Sequence, residues 1–301
     1  MAKRDFMTHY SIKDLSQLSG IKAHTIRIWE KRYDLISPKR TDTNIRYYSD
    51  QDLRKILNVS FLNNNGLKIS KIANLSATEL TKRVSDISVT SDQLLVERSI
   101  DELIFAMIAL DEARFATNIN QFTEKMGFEN AMVQVIYPFL MKIGVLWQTG
   151  NINPAQEHFV SSLIRQKLIS AIDKLPINDD SDRPLALLFL QENELHELGL
   201  LFSHYIVRKS GYRTVYLGQH MPYTDVLSVK AVHSPDLLIT YILNPIKKIQ
   251  TQAFVDLITQ DFDKSKVLFS ISNINSEGIK MPSNGLIINS VDELRGHLDQ
   301  T

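Results

Sequence analysis

Residues 185–190 (LALLFL) form an unbroken apolar run, the pattern of a strand buried on both faces. The polar stretch 191–199 (QENELHELG) follows at once. Apolar helical spacing then resumes through Leu200, Leu201, Tyr205 and Ile206 and stops at Gly211. Glu194, His196 and Gly199 therefore fall where a first strand hands over to a first helix. Further strand patterns lie at 214–217, 237–243, 267–271 and 285–289, with helical patterns between them. The last helix, Val291–Leu298, has Ser290 as its N-cap. This alternation implies a parallel, doubly wound α/β sheet over 183–301. Ligands of such sheets bind in the crevice beyond the strand ends.

The residue types in that crevice suit a metal. His196 offers a neutral imidazole, a good ligand for a transition metal. Glu194 is placed to orient the ring or set its tautomer. Gly199 removes a side chain where something large must come close. Taken alone, Glu-x-His-x-x-Gly equally describes a helix start with a satisfied histidine and a packing glycine, so the rest of the chain has to decide.

The chain has 301 residues, enough for two or three domains. It has no cysteine, which excludes disulfides and thiolate metal sites. No apolar run approaches the roughly 18 residues of a membrane helix. The start, MAKRDFMTHY, lacks the apolar core of a signal peptide, so the cytoplasm is the expected compartment. Net charge is zero but unevenly placed: residues 1–75 carry 14 Lys+Arg against 7 Asp+Glu. A basic front on an acidic body suggests a nucleic-acid module with an attached sensor.

The front end has the matching elements. Ser11 caps a helix with Ile12, Leu15 and Leu18 on its buried face, and Gly20 ends it. A second helix runs from about Ala23 to Glu30, with Ile26 and Trp29 inward. Two short helices around a glycine turn predict a helix-turn-helix whose His24, Thr25, Arg27 and Lys31 face the major groove. A small basic hairpin follows, with Asn44 at a positive-φ turn and Arg40, Arg46 and Tyr47 set to meet phosphates and sugars. Ser49 caps a third helix that ends at Gly66. The run IRIWEKRYDLISPKRTDTNIRYYSDQDL resembles the winged-helix DNA-binding domain of the MerR family. The resemblance rests on Arg27, Trp29, Glu30, Arg32, Tyr33, Leu35, Pro38, Arg40, Arg46 and Tyr47, with Asn44 replacing the usual wing glycine. It implies a dimer on a pseudo-palindromic operator, with salt-dependent phosphate contacts and specificity from a few recognition-helix side chains.

Residues 76–92 are polar and are expected to be a linker carrying one short helix. They lack a long heptad pattern, so dimerisation is expected to fall to the C-terminal body. Four helical patterns follow, at 93–110, 111–126, 128–147 and 153–175, the last with Asn153 as N-cap and Pro154 at the first position. Short connections between them argue for an antiparallel four-helix bundle over 93–180. Trp147, Glu157 and His158 all lie near the loop between the last two helices. By default these are a core tryptophan and a well-placed first-turn carboxylate. The tryptophan, nine residues and a Glu-His pair also resemble the upper-face signature of the CarH/LitR group of cobalamin-dependent light-sensing regulators. That resemblance implies that the bundle covers adenosylcobalamin, with Trp147 and Glu157 at the adenosyl group. It also implies that His158 takes the cobalt after photolysis.

The α/β region in turn resembles the flavodoxin-like cobalamin-binding fold. Glu194, His196 and Gly199 match its lower-ligand motif, in which the histidine replaces the cofactor's own base on cobalt. Gly218 and Pro222 match its second strand–helix connection. Two positions depart from the family. Tyr241 stands near the usual serine after the third strand, and Ser270-Ile271-Ser272 replaces a glycine pair after the fourth. These positions line the slot for the nucleotide tail, which Tyr241 and Ile271 are expected to narrow.

Together these resemblances imply a homodimeric or homotetrameric transcriptional regulator, not an enzyme, that senses adenosylcobalamin and light. The alternative keeps the regulator and makes the body a protein-interaction module, for instance for an antagonist protein. A cobalamin-dependent enzyme is disfavoured because no substrate domain fits. A zinc site on His158, Glu157 and His196 is a further possibility.

Overall fold

The helix-turn-helix begins with a reciprocal cap. Ser11 Oγ accepts from the Asp14 amide, and the Asp14 carboxylate accepts from the Ser11 amide. In the computed structural model, which describes residues 10–41, 43–88, 92–148, 152–244, 248–272, 276 and 278–299, this opens α1 (Ile12–Ser19), closed by Gly20 at φ 72°. The second helix, α2 (Ala23–Tyr33), runs past Glu30 and ends on Asp34 at φ 47°. Antiparallel strands β1 (Lys39–Arg40) and β2 (Arg46–Tyr47) make the wing, with Asn44 at φ 65° in its turn. A bridge between Tyr10 and Tyr48 ties the wing base to the start of α1. Ser49 and Asp52 repeat the reciprocal cap at α3 (Asp50–Asn64), and α4 (Ile69–Ile72) follows. Leu15, Ile26, Leu35, Tyr48, Leu53 and Ile56 form the core of this head.

The polar stretch after it is more helical than expected. Helix α5 (Ala77–Ser88) buries Leu80 and Val84, four residues apart on one face; residues 89–91 lie outside the described ones. Helices α6 (Asp92–Ile108) and α7 (Glu112–Met126) follow. The pattern at 128–147 predicts one helix. The structure has α8 (Phe128–Ala131), a π-helical turn Met132–Ile136 and α9 (Tyr137–Gln148). Phe115 and Phe139 meet in the bundle core at 5.8 Å between ring centroids. The guanidiniums of Arg54 on α3 and Arg114 on α7 lie 5.5 and 5.4 Å from the Phe105 ring, which joins head to bundle. Asn153 and Gln156 cap α10 (Pro154–Asp173) reciprocally.

The chain divides into two compact units, Met1–Phe159 and Val160–Thr301. In the second, a five-stranded parallel sheet has the order β4-β3-β5-β6-β7. Its strands are β3 (Leu185–Gln191), β4 (Arg213–Met221), β5 (Leu237–Ile242), β6 (Lys266–Ile271) and β7 (Gly285–Ile287). The principal helices between and after them are α11 (Glu197–Lys209), α12 (Tyr223–Ser228), α13 (Lys248–Asp261) and α14 (Val291–Leu298). On one face Leu187, Phe189, Leu238, Ile242, Val267, Phe269 and Ile271 pack with Val255 and Ile258 of α13. Because strand side chains alternate, Tyr241 and Ser270 point to the other face, toward α11. Among the described residues no helix is long and apolar enough to cross a membrane.

Candidate functional sites

In the head, the outward face of α2 and the wing are presented together. His24, Arg27, Lys31, Arg32, Arg40 and Arg46 are exposed; Thr25, Tyr33 and Tyr47 are half-buried. Trp29 and Ile26 are buried beneath them. Glu30 joins the two elements: it accepts from the Tyr48 hydroxyl at 3.1 Å and pairs with Arg46 at 3.6 Å. Arg40 Nη1 donates to Asn44 Oδ1 at 2.6 Å across the wing turn. The Arg32 guanidinium lies 5.4 Å from the Tyr33 ring. The result is a cationic surface whose supports are themselves local.

In the second unit, Glu194 and His196 sit at the carboxyl ends of the central strands. The sheet order reverses between β3 and β5, which makes the crevice beyond their ends the topological switch point. The Glu194 side chain is buried, with Oε2 accepting from the Leu243 and Asn244 amides at 2.9 and 2.8 Å. Oε1 accepts from the His196 amide at 3.2 Å and meets His196 Nδ1 at 2.5 Å. Burial works to raise this carboxyl's pKa, but the hydrogen bonds from His196, Asn244 and Leu243 outweigh it and hold the group at about 2. A carboxylate at Nδ1 fixes the proton there and leaves the lone pair on Nε2, the tautomer of a metal ligand. The imidazole is held by a buried group yet is itself 59% exposed. Asn193 and His220 adopt left-handed backbone beside it, at φ 67° and 59°, joined by Asn193 N donating to His220 Nδ1 at 3.0 Å.

In the first unit, Trp147 ends α9 and is 47% exposed, unusual for a residue type that normally packs in the core. Glu157 and His158 lie near the start of α10, with His158 Nδ1 3.1 Å from Glu157 Oε2. Residues 149–151 of the intervening loop lie outside the described ones.

Two family descriptions match the chain. Residues 10–79 match the MerR HTH family regulatory protein, and residues 99–170 match the B12 binding domain. The chain thus carries a segment similar to a MerR-type HTH domain and a segment similar to a B12 binding domain. Over 233 residues the chain is 28% identical to the HTH-type transcriptional repressor CarH of Myxococcus xanthus, covering 76% of this chain and 77% of that one. It is 25% identical over 229 residues to the HTH-type transcriptional repressor CarA of the same organism, covering 75% and 74%. Among solved structures, the Methanosarcina barkeri monomethylamine corrinoid protein shares its fold. That similarity has a TM-score of 0.56 and 15% identity, and covers 70% of this chain and 100% of that one. The curated relatives are repressors, and the expectation of a regulator rather than an enzyme stands on them.

The residues of the crevice fit a corrinoid at the metal and depart from it behind. The Glu194–His196 pair supplies an oriented nitrogen donor. Among the described residues no cluster of three metal-ligating side chains is assembled. Gly199 does admit something large, and in this structure it is Tyr241: a Cβ on Gly199 would fall 2.3 Å from Tyr241 Cε2. The Tyr241 hydroxyl lies 2.8 Å from Ser203 Oγ on α11. The expectation for Ile271 needs correction. Ile271 packs with the α13 cluster on the opposite face, because its register partner is Ile242 and not Tyr241. Of the departing residues on these two strands, Tyr241 and Ser270 share the α11 side.

Gly218 also sits differently from the expectation. It lies inside β4 at φ 81°, at a register shift opposite Phe189, and the connection begins at Pro222. Its Cβ position faces Glu197 Oε1 at 3.8 Å. Glu197 is the centre of a network that the motifs did not reveal: it accepts from Arg165 Nε at 2.8 Å and from the Tyr216 hydroxyl at 3.0 Å. His204 stacks on Tyr216 and meets Thr214 Oγ1 at 3.0 Å. The spacing Glu197, Ser203, His204 on one helix was the available signal, since all three lie on the face toward the sheet.

Proposed function

We propose that this regulator binds operator DNA through its head and governs that binding by an adenosylated corrinoid and light. The observation that carries the reading is the Glu194–His196 pair, an oriented imidazole set at the switch point of the sheet. In this reading His196 is the lower cobalt ligand and Glu194 fixes its tautomer. Trp147 and Glu157 meet the adenosyl group, and His158 is the replacement upper ligand. The bound cofactor supplies a cobalt–carbon bond that light breaks. The corresponding division is 1–75 for DNA, 76–92 as connection, 93–180 as cap and 183–301 as cofactor holder. DNA contacts are assigned to His24, Thr25, Arg27, Lys31, Arg32, Tyr33, Arg40, Arg46 and Tyr47.

The adenosyl group favours one assembly, a homodimer or homotetramer with paired heads, and its loss removes the contacts that distinguish the two states. Paired heads bind a two-fold operator far more tightly than single ones. The test is the dark absorbance spectrum after incubation with adenosylcobalamin or adenosylcobinamide and desalting, repeated after green light with mass measured in parallel. Retained corrinoid, lost in His196→Ala, with light-dependent change in both spectrum and mass, is the expected result. Tyr241 at Gly199 favours a second reading, a body that binds a partner protein and no corrinoid. A colourless protein of constant mass with both corrinoids would establish it.

A further inference from the structure

The ground behind His196 is closed in a specific way. Gly199 lies one helical turn beyond His196 on α11, and the edge of the Tyr241 ring abuts it. The ring is anchored at its far end by Ser203, which is itself buried. It rises from β5, whose neighbour β6 pairs Tyr241 with Ser270, so the backbone is held by the ladder. Moving the ring aside breaks the Ser203 hydrogen bond and opens a void at Gly199. Both changes cost free energy.

A corrinoid whose cobalt takes a nitrogen from the protein must house its own displaced base and nucleotide tail. Both hang from the same face of the macrocycle as that nitrogen. Here the space next to the histidine on that side, between α11 and β5, belongs to Tyr241. The holder of the imidazole is nonetheless complete, with Glu194 tied to the loops after both β3 and β5. An intact lower ligand with Tyr241 packed against Gly199 behind it suits one chemical class of ligand.

We propose that this site takes a corrinoid lacking the lower nucleotide tail, and that Tyr241 is the residue that excludes the tailed form. This rests on the corrinoid reading above. The probes are adenosylcobinamide, which has no tail, and adenosylcobalamin, which has one. Each is titrated in the dark into full-length wild type, Tyr241→Ser, Tyr241→Phe and His196→Ala. Wild type should prefer the tailless probe by on the order of a hundredfold, the cost of evicting a packed, hydrogen-bonded ring. Tyr241→Ser should close most of that gap by gaining affinity for the tailed probe, whereas Tyr241→Phe should keep it. His196→Ala should weaken both probes.

Equal binding of both probes by wild type would overturn the role of Tyr241 and leave the corrinoid reading intact. Binding of neither probe by wild type or by Tyr241→Ser would overturn both. Should Tyr241→Ser not fold, the wild-type ratio and Tyr241→Phe still decide.

Discussion

The winged head and the α/β crevice both present polar groups to a partner, but they hold them in opposite ways. In the head most candidate residues are exposed side chains on α2 and the wing, and Glu30 ties these two elements together. In the crevice one exposed imidazole hangs on a buried carboxylate, and that carboxylate also binds backbone amides of Leu243 and Asn244. An outward residue of the head is therefore separable from the fold, whereas a crevice residue is part of it. Function and stability should come apart in the first region and move together in the second.

The largest effect expected from this contrast is at Glu194. Glu194→Ala removes a buried acceptor shared by donors of His196, Leu243 and Asn244 and should cost on the order of 3 kcal/mol. A urea melt of the full chain reads this. A loss under about 0.5 kcal/mol, the size of a surface substitution, would break the contrast.

A comparable effect belongs to pH. Burial, and then the charge of Arg208, lower the His204 pKa to about 4. The folded protein thus keeps His204 neutral where the unfolded chain, near 6.5, takes up a proton. Its contribution is complete above about pH 6.5 and falls as pH drops toward 4, by about 3 kcal/mol in all. Melts at pH 7 and 4.5 should differ by less in His204→Gln than in wild type. An identical difference in both proteins would remove His204 from the account.

Smaller, and specific to the packing behind His196, is Gly199→Ala. The new methyl meets the Tyr241 ring, and overpacking of this kind costs about 1–3 kcal/mol. In a Tyr241→Ser background the same change should be neutral or slightly stabilising, since alanine favours helix. Additivity in this double-mutant cycle would show that the two residues do not touch.

The smallest effect is in the head. Lys31→Ala should leave the melting transition in place and lower the slope of log affinity against log salt by about one. A shifted melt with an unchanged slope would reverse the assignment of Lys31 from surface to support.

The two regions also differed in how far their sequence could be read. The head's caps act over three or four residues, so Ser11/Asp14, Ser49/Asp52 and the Asn44 turn were visible directly. Helix α5 was not, because its buried face among the described residues is Leu80 and Val84 in a largely polar segment. The crevice's Glu194–His196 pair was legible as a motif, being two residues apart. Its partners at Leu243 and Asn244 were not, since only the parallel sheet brings them there. Tyr241 and Ile271 stood out equally as departures, yet strand alternation sends them to opposite faces, and one residue of register decides which matters.

The central claim is that His196 is the lower ligand of a bound corrinoid. The most direct test is electron paramagnetic resonance of the cobalt(II) form bound to protein grown on histidine labelled with nitrogen-15. The cobalt lines should show coupling to a single axial nitrogen. That coupling should change from a triplet to a doublet on labelling and disappear in His196→Ala. A triplet unchanged by labelling with the tailed cobalamin, or no nitrogen coupling with the tailless cobinamide, would contradict the claim.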